Sequence, residues 1–179
     1  MIGRVGFRMV VLVLLVAVQA SGCGYALAGR GNALPATIRV IGVPDFQNLS
    51  PYPDIDRYMT ESVREEFQAR GRYRILAQAD GVDGRFVGTL VSVEFRPATF
   101  TADNQVARNT MVVTAAVEFR EVATDKVIWS NPHYQLREDY QLQGVAGDPA
   151  ANLLRDRDAQ LRIARAFARS VVTSVFEAF

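Results

Sequence analysis

Few residues in this 179-residue chain have the chemistry that catalysis requires. His133 is the only histidine and Cys23 the only cysteine. A histidine acting as general base needs a nucleophile and an orienting acid within reach. His133 follows Pro132 directly in a polar stretch, and the sequence identifies neither partner. A bound metal needs several His, Cys or acidic ligands together, and no such cluster is spaced along the chain. The acidic pairs Asp54 and Asp56, and Asp80 and Asp83, fall in turns and caps where a carboxylate is already used for local hydrogen bonding. Gly81, Gly84 and Gly88 are not followed by a helical stretch, so they build no phosphate-binding turn. These residues predict no enzyme, no metal and no cofactor.

Binding chemistry is better represented. All basic residues except Lys126 are arginine, whose planar fork takes phosphate or carboxylate with two hydrogen bonds. Arg155, Arg162 and Arg169 recur every seven residues, with Arg165 beside them, and make a basic stripe along a helix. Asp158 stands three and four residues from Arg155 and Arg162, a spacing that suits a solvated, self-paired face. The alternative is a surface for anionic groups. Arg96 and Arg108 fall near opposite each other if the hairpin across Pro97–Thr110 turns at Asp103-Asn104. Phe100 and Val106 then lie closer to its end, and cations beside apolar side chains suit an amphiphilic anion. The formal charge of +1 gives no overall basic field, so nucleic acid is not an expected partner.

Cys23 is accounted for by what precedes it. Arg4 and Arg8, the uncharged run Met9–Val18 and then small residues are the parts of a secretory signal. The run is too short for a stable span, which needs roughly 20 apolar residues. Ala20-Ser21-Gly22-Cys23 resembles a lipobox, with Ala20 where leucine is usual. An ordinary signal that happens to carry a cysteine is the alternative, but exported proteins pair their thiols and this one has no mate. The resemblance implies removal of residues 1–22 and acylation of Cys23, with palmitate among the chains. Gly24, where an aspartate would retain the protein at the inner membrane, points to the outer membrane. What is left has 18 basic and 19 acidic residues, and each buried acyl methylene adds about 0.8 kcal/mol of membrane affinity.

Residues 23–36 are Gly-rich and read as a lipidated flexible tether, leaving 37–179 as a single domain. Ile38–Val43 is β-branched and bounded by prolines, a strand, and Asp45–Pro53 is a loop. Asp54 is placed to cap a helix on which Ile55, Met59, Val63 and Phe67 share one face, with Gly71 as its C′ residue. Tyr73–Leu76 is a second strand, parallel to the first across the helical connection. Arg85–Arg96 alternates, with Val87, Val91, Val93 and Phe95 on one face and Phe86 and Leu90 on the other. Met111–Val122 alternates with Met111, Val113, Ala115, Val117 and Phe119 in phase. A turn at Ala123–Lys126 leads to Val127–Trp129, Ser130–Pro132 interrupts that strand, and His133–Tyr140 resumes it. Asp148-Pro149 starts a C-terminal helix with a broad apolar stripe, running nearly to Phe179 over about 40 Å. The predicted fold is α+β and two-layered, with two amphipathic helices on one face of a mixed sheet of four or five strands containing long antiparallel hairpins.

Cys23-Gly24-Tyr25, the Gly-rich tether with Leu34-Pro35, the strand Ile38–Val43, the helix ending at Arg70-Gly71 and the paired strands ending near Trp129 are similar to the LptE family of lipopolysaccharide-assembly lipoproteins. That resemblance implies a plug inside the outer-membrane β-barrel translocon LptD, help in assembling that barrel, and binding of lipopolysaccharide. The family's lipopolysaccharide contacts involve basic residues near a hairpin end. Here the tip Thr101–Gln105 has none, and Arg96 and Arg108 are the nearby candidates. Val40–Asn48, the helix after it and Arg72–Ile75 also resemble the module shared by curli-secretion lipoproteins and outer-membrane activators of peptidoglycan synthases. The two long hairpins and single last helix separate the two readings.

Overall fold

The computed structural model describes residues 34–100, 106–140, 153 and 157–178, with backbone only at 97–100, 106–109 and 140. The signal segment, Cys23, the hairpin tip Asp103-Asn104, the helix start at Asp148-Pro149 and Arg155 lie outside the described residues. The packed region already includes Leu34 of the expected tether, which is buried and donates its N–H to the Tyr73 hydroxyl at 3.2 Å.

Strand β1 (Val40–Gly42) is followed by a segment that sequence patterning reads as loop only, yet Gln47–Asn48 form a short strand β2 parallel to Thr89–Leu90. Asn48 organises this turn. Its Nδ2 donates to the Tyr52 carbonyl at 2.8 Å and to Asp56 Oδ1 at 2.9 Å, and its Oδ1 accepts from Ser50 N at 2.9 Å and Ser50 Oγ at 2.7 Å. Helix α1 (Ile55–Ala69) buries Ile55, Met59, Val63 and Phe67 completely, as their four-residue spacing requires. Asp54 does not cap it as expected: the residue sits in the left-handed region at φ 67° with no side-chain cap bond, and its carboxylate faces Arg57 at 3.6 Å. Gly71 ends the helix at φ +72°, a conformation that glycine adopts without steric cost.

Strand β3 (Arg74–Leu76) lies parallel to β1, the expected outcome of a strand–helix–strand unit. Three long strands complete a mixed sheet: β4 (Gly84–Phe100), β5 (Val106–Glu121) and β6 (Lys126–Tyr140). The order is β3-β1-β4-β5-β6, with β2 also on β4, so six strands form where four or five were expected. The β4–β5 pairing runs out to Phe100 and Val106, while β6 flanks β5 as far as Asn109.

The face assignment of β4 needs a correction. Phe86 and Leu90 point into the core, whereas Val87 and Val91 point away from it. A bulge between Leu90 and Ser92 inserts Val91 as the unpaired residue and reverses the phase, so that Val93 and Phe95 return to the core side opposite Val113 and Met111. Strand β5 keeps one phase, and Met111, Val113, Ala115, Val117 and Phe119 are all buried. Strand β6 is continuous through Pro132. The register passes from Val117↔Asn131 to Ala115↔Tyr134, so Pro132 and His133 form a bulge on an edge strand where a missing N–H costs little.

Helix α2 (Arg157–Glu177) lies beside α1, and both cover the same face of the sheet. Phe67 is the hinge of the packing, with ring centroids 5.5 Å from Phe86, 6.2 Å from Phe119 and 6.1 Å from Phe176. Phe46 links Phe86 and Phe167 at 6.0 and 6.3 Å. Gly88 has to be glycine here, because a Cβ would come within 3.0 Å of three atoms of the Phe46 ring. The opposite sheet face carries no helix among the described residues. Val87, Thr89, Ala116, Ser130 and Pro132 line a shallow depression of about 360 Å³ on it, and Val91 is 40% exposed.

Candidate functional site

The arginine stripe falls on α2 because of how that helix is seated. Ile163, Ala164, Phe167, Ala168, Val171, Val172 and Val175 are buried, and this turns Arg162, Arg165 and Arg169 outward. Spacings of three and four residues keep the three guanidinium groups on one side of the helix over about 10 Å of its length. Tyr134 of β6 fixes the helix against the sheet edge, its ring 5.7 Å from that of Phe167 and its hydroxyl 2.6 Å from Ser170 Oγ.

A groove of about 350 Å³ opens between α2 and the end of β5 and β6. Its apolar lining comes from Met111, Ala159 and Ile163, all buried, together with Ala166. Arg162, Arg165 and Arg169 line it from the helix, and Glu138 and Asp139 from β6. A second groove of about 260 Å³ lies between the helices, where Arg165 and Arg169 meet Glu65 and Glu66 of α1. None of the three arginines forms an ion pair or hydrogen bond among the described residues, and the Asp158–Arg162 pair that a self-neutralised face would contain is absent. Glu66 is engaged with Arg70 at 3.2 Å, and Asp139 is likewise not free. The groove therefore presents three guanidinium groups whose hydrogen-bonding capacity is unspent, next to apolar side chains.

The hairpin arginines are arranged differently from the expectation. Arg96 pairs in register with Thr110, and Arg108 with Thr99, so the two are offset along the hairpin and not opposed. Arg96 is exposed and held by Glu94 of its own strand at 2.9 Å. Arg108 is known by its backbone position alone. Its strand neighbours Thr110 and Met111 pair with Asp139 and Glu138, which places the base of the long hairpin at the groove. Two features that the sequence presents separately, the hairpin and the stripe, thus meet at one end of the sheet. Met111, Glu138 and Asp139 could not be foreseen as groove residues, since only the strand register brings them to α2.

His133 is exposed on the β6 bulge, and its N–H is bonded to Asn131 Oδ1 at 2.9 Å. Among the described residues no group of three or more His, Cys, Asp and Glu side chains is placed to hold a metal ion. No helix among them is long and apolar enough to cross a membrane. Two carboxylates stabilised in their ionised form lie elsewhere, at the opposite end of the sheet. Backbone N–H groups of Arg39 and Val40 hold Asp83 below the usual carboxylate range, and the hydroxyls of Thr124 and Thr37 do the same to Glu121.

Among solved structures, the chain is similar to rare lipoprotein B from Shewanella oneidensis, with 15% identity over 76% of this chain and 96% of that one and a TM-score of 0.43. It is similar to lipoprotein B from Nitrosomonas europaea, with 15% identity, coverage of 83% and 90%, and a TM-score of 0.43. It is also similar to the PelC dodecamer subunit from Paraburkholderia phytofirmans, with 17% identity, coverage of 76% and 92%, and a TM-score of 0.42. Likeness at this level carries no weight for function. No curated protein matches the sequence. The sequence model of the LptE family, described as lipopolysaccharide-assembly, matches residues 38–175. That interval runs from two residues before β1 to the last turn of α2 and takes in the groove and both hairpins, so the chain belongs to the LptE lipopolysaccharide-assembly family.

Proposed function

We propose that this protein is a lipid-anchored outer-membrane component that assists assembly of a β-barrel lipopolysaccharide translocon, plugs it, and takes part in delivering lipopolysaccharide to the cell surface. The observation that carries the reading is the family match over residues 38–175. The signal segment ending at Cys23 supports it from the other end of the chain, since an acylated Cys23 supplies a membrane anchor without a spanning helix. The uncovered sheet face, with small and apolar side chains at Val87, Thr89, Ala116 and Pro132, suits a surface that meets a partner wall. The role requires no catalysis: the protein offers shape, an anchor and positive charge for an anionic lipid. Arg96 and Arg108 on the hairpin are the candidate lipid contacts.

Depletion of the protein in its own cells tests the reading. Newly made lipopolysaccharide is expected to stop reaching the outer surface and to accumulate behind it, while peptidoglycan synthesis continues at first. Normal delivery of lipopolysaccharide with an early loss of peptidoglycan synthase activity would instead favour the regulator type and contradict the proposal.

A further inference from the structure

The α2 arginines are unpaired in the presence of acids that could neutralise them. Glu138 and Asp139 line the same groove, Glu65 and Glu66 the neighbouring one, and Asp158 stands one turn before Arg162. No ion pair forms with any of the three arginines among the described residues. Glu66 is committed to Arg70, and Asp139 has another interaction. Among the described residues the groove lining thus sets three guanidinium groups against the two carboxylates of Glu138 and Asp139, a surplus of one positive charge. Arginine meets a phosphate with two parallel charge-assisted hydrogen bonds, and three of them along about 10 Å of helix can engage more than one phosphate oxygen cluster. Met111, Ala159 and Ile163 add apolar surface at the same place, which free phosphate does not need and a lipid does. The groove's volume of about 350 Å³ is at the small end of the range for ligand sites, enough for one phosphorylated sugar unit of a headgroup.

We propose that the groove between α2 and the hairpin base, with Arg162, Arg165 and Arg169 on one wall, binds the phosphate-bearing headgroup of a glycolipid. This is a site additional to the hairpin arginines, and Glu138 tunes it by opposing the anion from the other wall. The identity of the lipid rests on the lipopolysaccharide reading above; the positive charge of the groove does not.

The test titrates the full-length lipidated protein, in nonionic detergent, with purified lipopolysaccharide and with the same lipid after its phosphates have been removed. Reversal of the stripe, Arg162→Glu with Arg165→Glu and Arg169→Glu, is expected to weaken binding of the phosphorylated lipid roughly tenfold or more, since at least one charge-assisted hydrogen bond is lost. Binding of the dephosphorylated lipid is expected to be weak already and not to change. Glu138→Gln is expected to tighten binding about two- to threefold, as removal of one exposed opposing charge allows. A cooperative melt of each variant checks that it is folded, and the single Glu138→Gln change decides the matter if the triple variant is unstable. The proposal is overturned if both variants bind like the unaltered chain, or if inorganic phosphate at the lipid's own concentration displaces the lipid. It is also overturned, with the functional reading left standing, if Arg96→Glu with Arg108→Glu abolishes binding while the groove variants bind normally. Failure of the unaltered protein to bind lipopolysaccharide would instead overturn the functional reading.

Discussion

One carboxylate oxygen of Asp83 joins two strands. Asp83 Oδ2 accepts the N–H of Arg39 and of Val40, both at 2.9 Å, while its own N–H goes to the Val40 carbonyl at 2.9 Å and its carbonyl takes the Val122 N–H at 2.8 Å. Those two backbone donors favour the ionised form and lower its pKa. A depressed carboxylate contributes stability that is present above its unfolded value, about 3.9, and is lost as pH falls through the lower folded value. Asp83→Asn is therefore expected to melt at a lower temperature than the unaltered protein at neutral pH, and the gap is expected to close in strong acid, where the carboxylate is protonated in both states. Thermal melts at the two pH values check this, and a gap of equal size at both would show that the charge is irrelevant. The sequence shows Asp83 only as half of an acidic pair in a turn. Its role arises from a contact with residues 43 and 44 positions away in the chain, which no local pattern reveals.

Elements whose period is unambiguous were legible in advance: the four-residue spacing of α1, the stripe of α2 and the single phase of β5 all correspond to buried faces. Strand β4 was not. Alternation puts Val87, Val91, Val93 and Phe95 on one side and Phe86 and Leu90 on the other, so both sides are apolar and the pattern alone cannot say which is the core. Phe46, lying against Gly88, and the bulge at Val91 settle it. That account makes a prediction at the scale of the strand. Deleting Val91 removes the bulge and turns Val93 and Phe95, or the residues before them, to the wrong face, because a one-residue slip exchanges the two faces of a strand. The deletion is expected to abolish the cooperative melt, whereas Val91→Thr, at a position 40% exposed, is expected to stay within about 0.5 kcal/mol of the unaltered protein. A stable, cooperative deletion variant would mean that the register tolerates either phase. Pro132 has the same cause: proline reads as a break in sequence, and an edge-strand bulge absorbs it.

At the scale of the molecule, near-neutral total charge conceals how the charges are distributed. Acids and arginines pair along the open sheet face, as in Glu118–Arg120–Asp125 and Glu94–Arg96, while Arg162, Arg165 and Arg169 of α2 form no ion pair among the described residues. The stripe could be read from its seven-residue spacing, but its facing wall could not, because Met111, Glu138 and Asp139 reach it only through the β4–β5–β6 register. A domain covered by helices on one face and open on the other among the described residues, with the lipid tether proposed at Cys23, has the form expected of a part that works inside a larger envelope assembly. Affinity purification of the full-length protein from crosslinked outer membranes tests that claim most directly. The account predicts recovery of a large outer-membrane β-barrel protein, with crosslinks from the open sheet face at Val87 or Thr89 into its wall. Recovery of a peptidoglycan synthase with no barrel would contradict it.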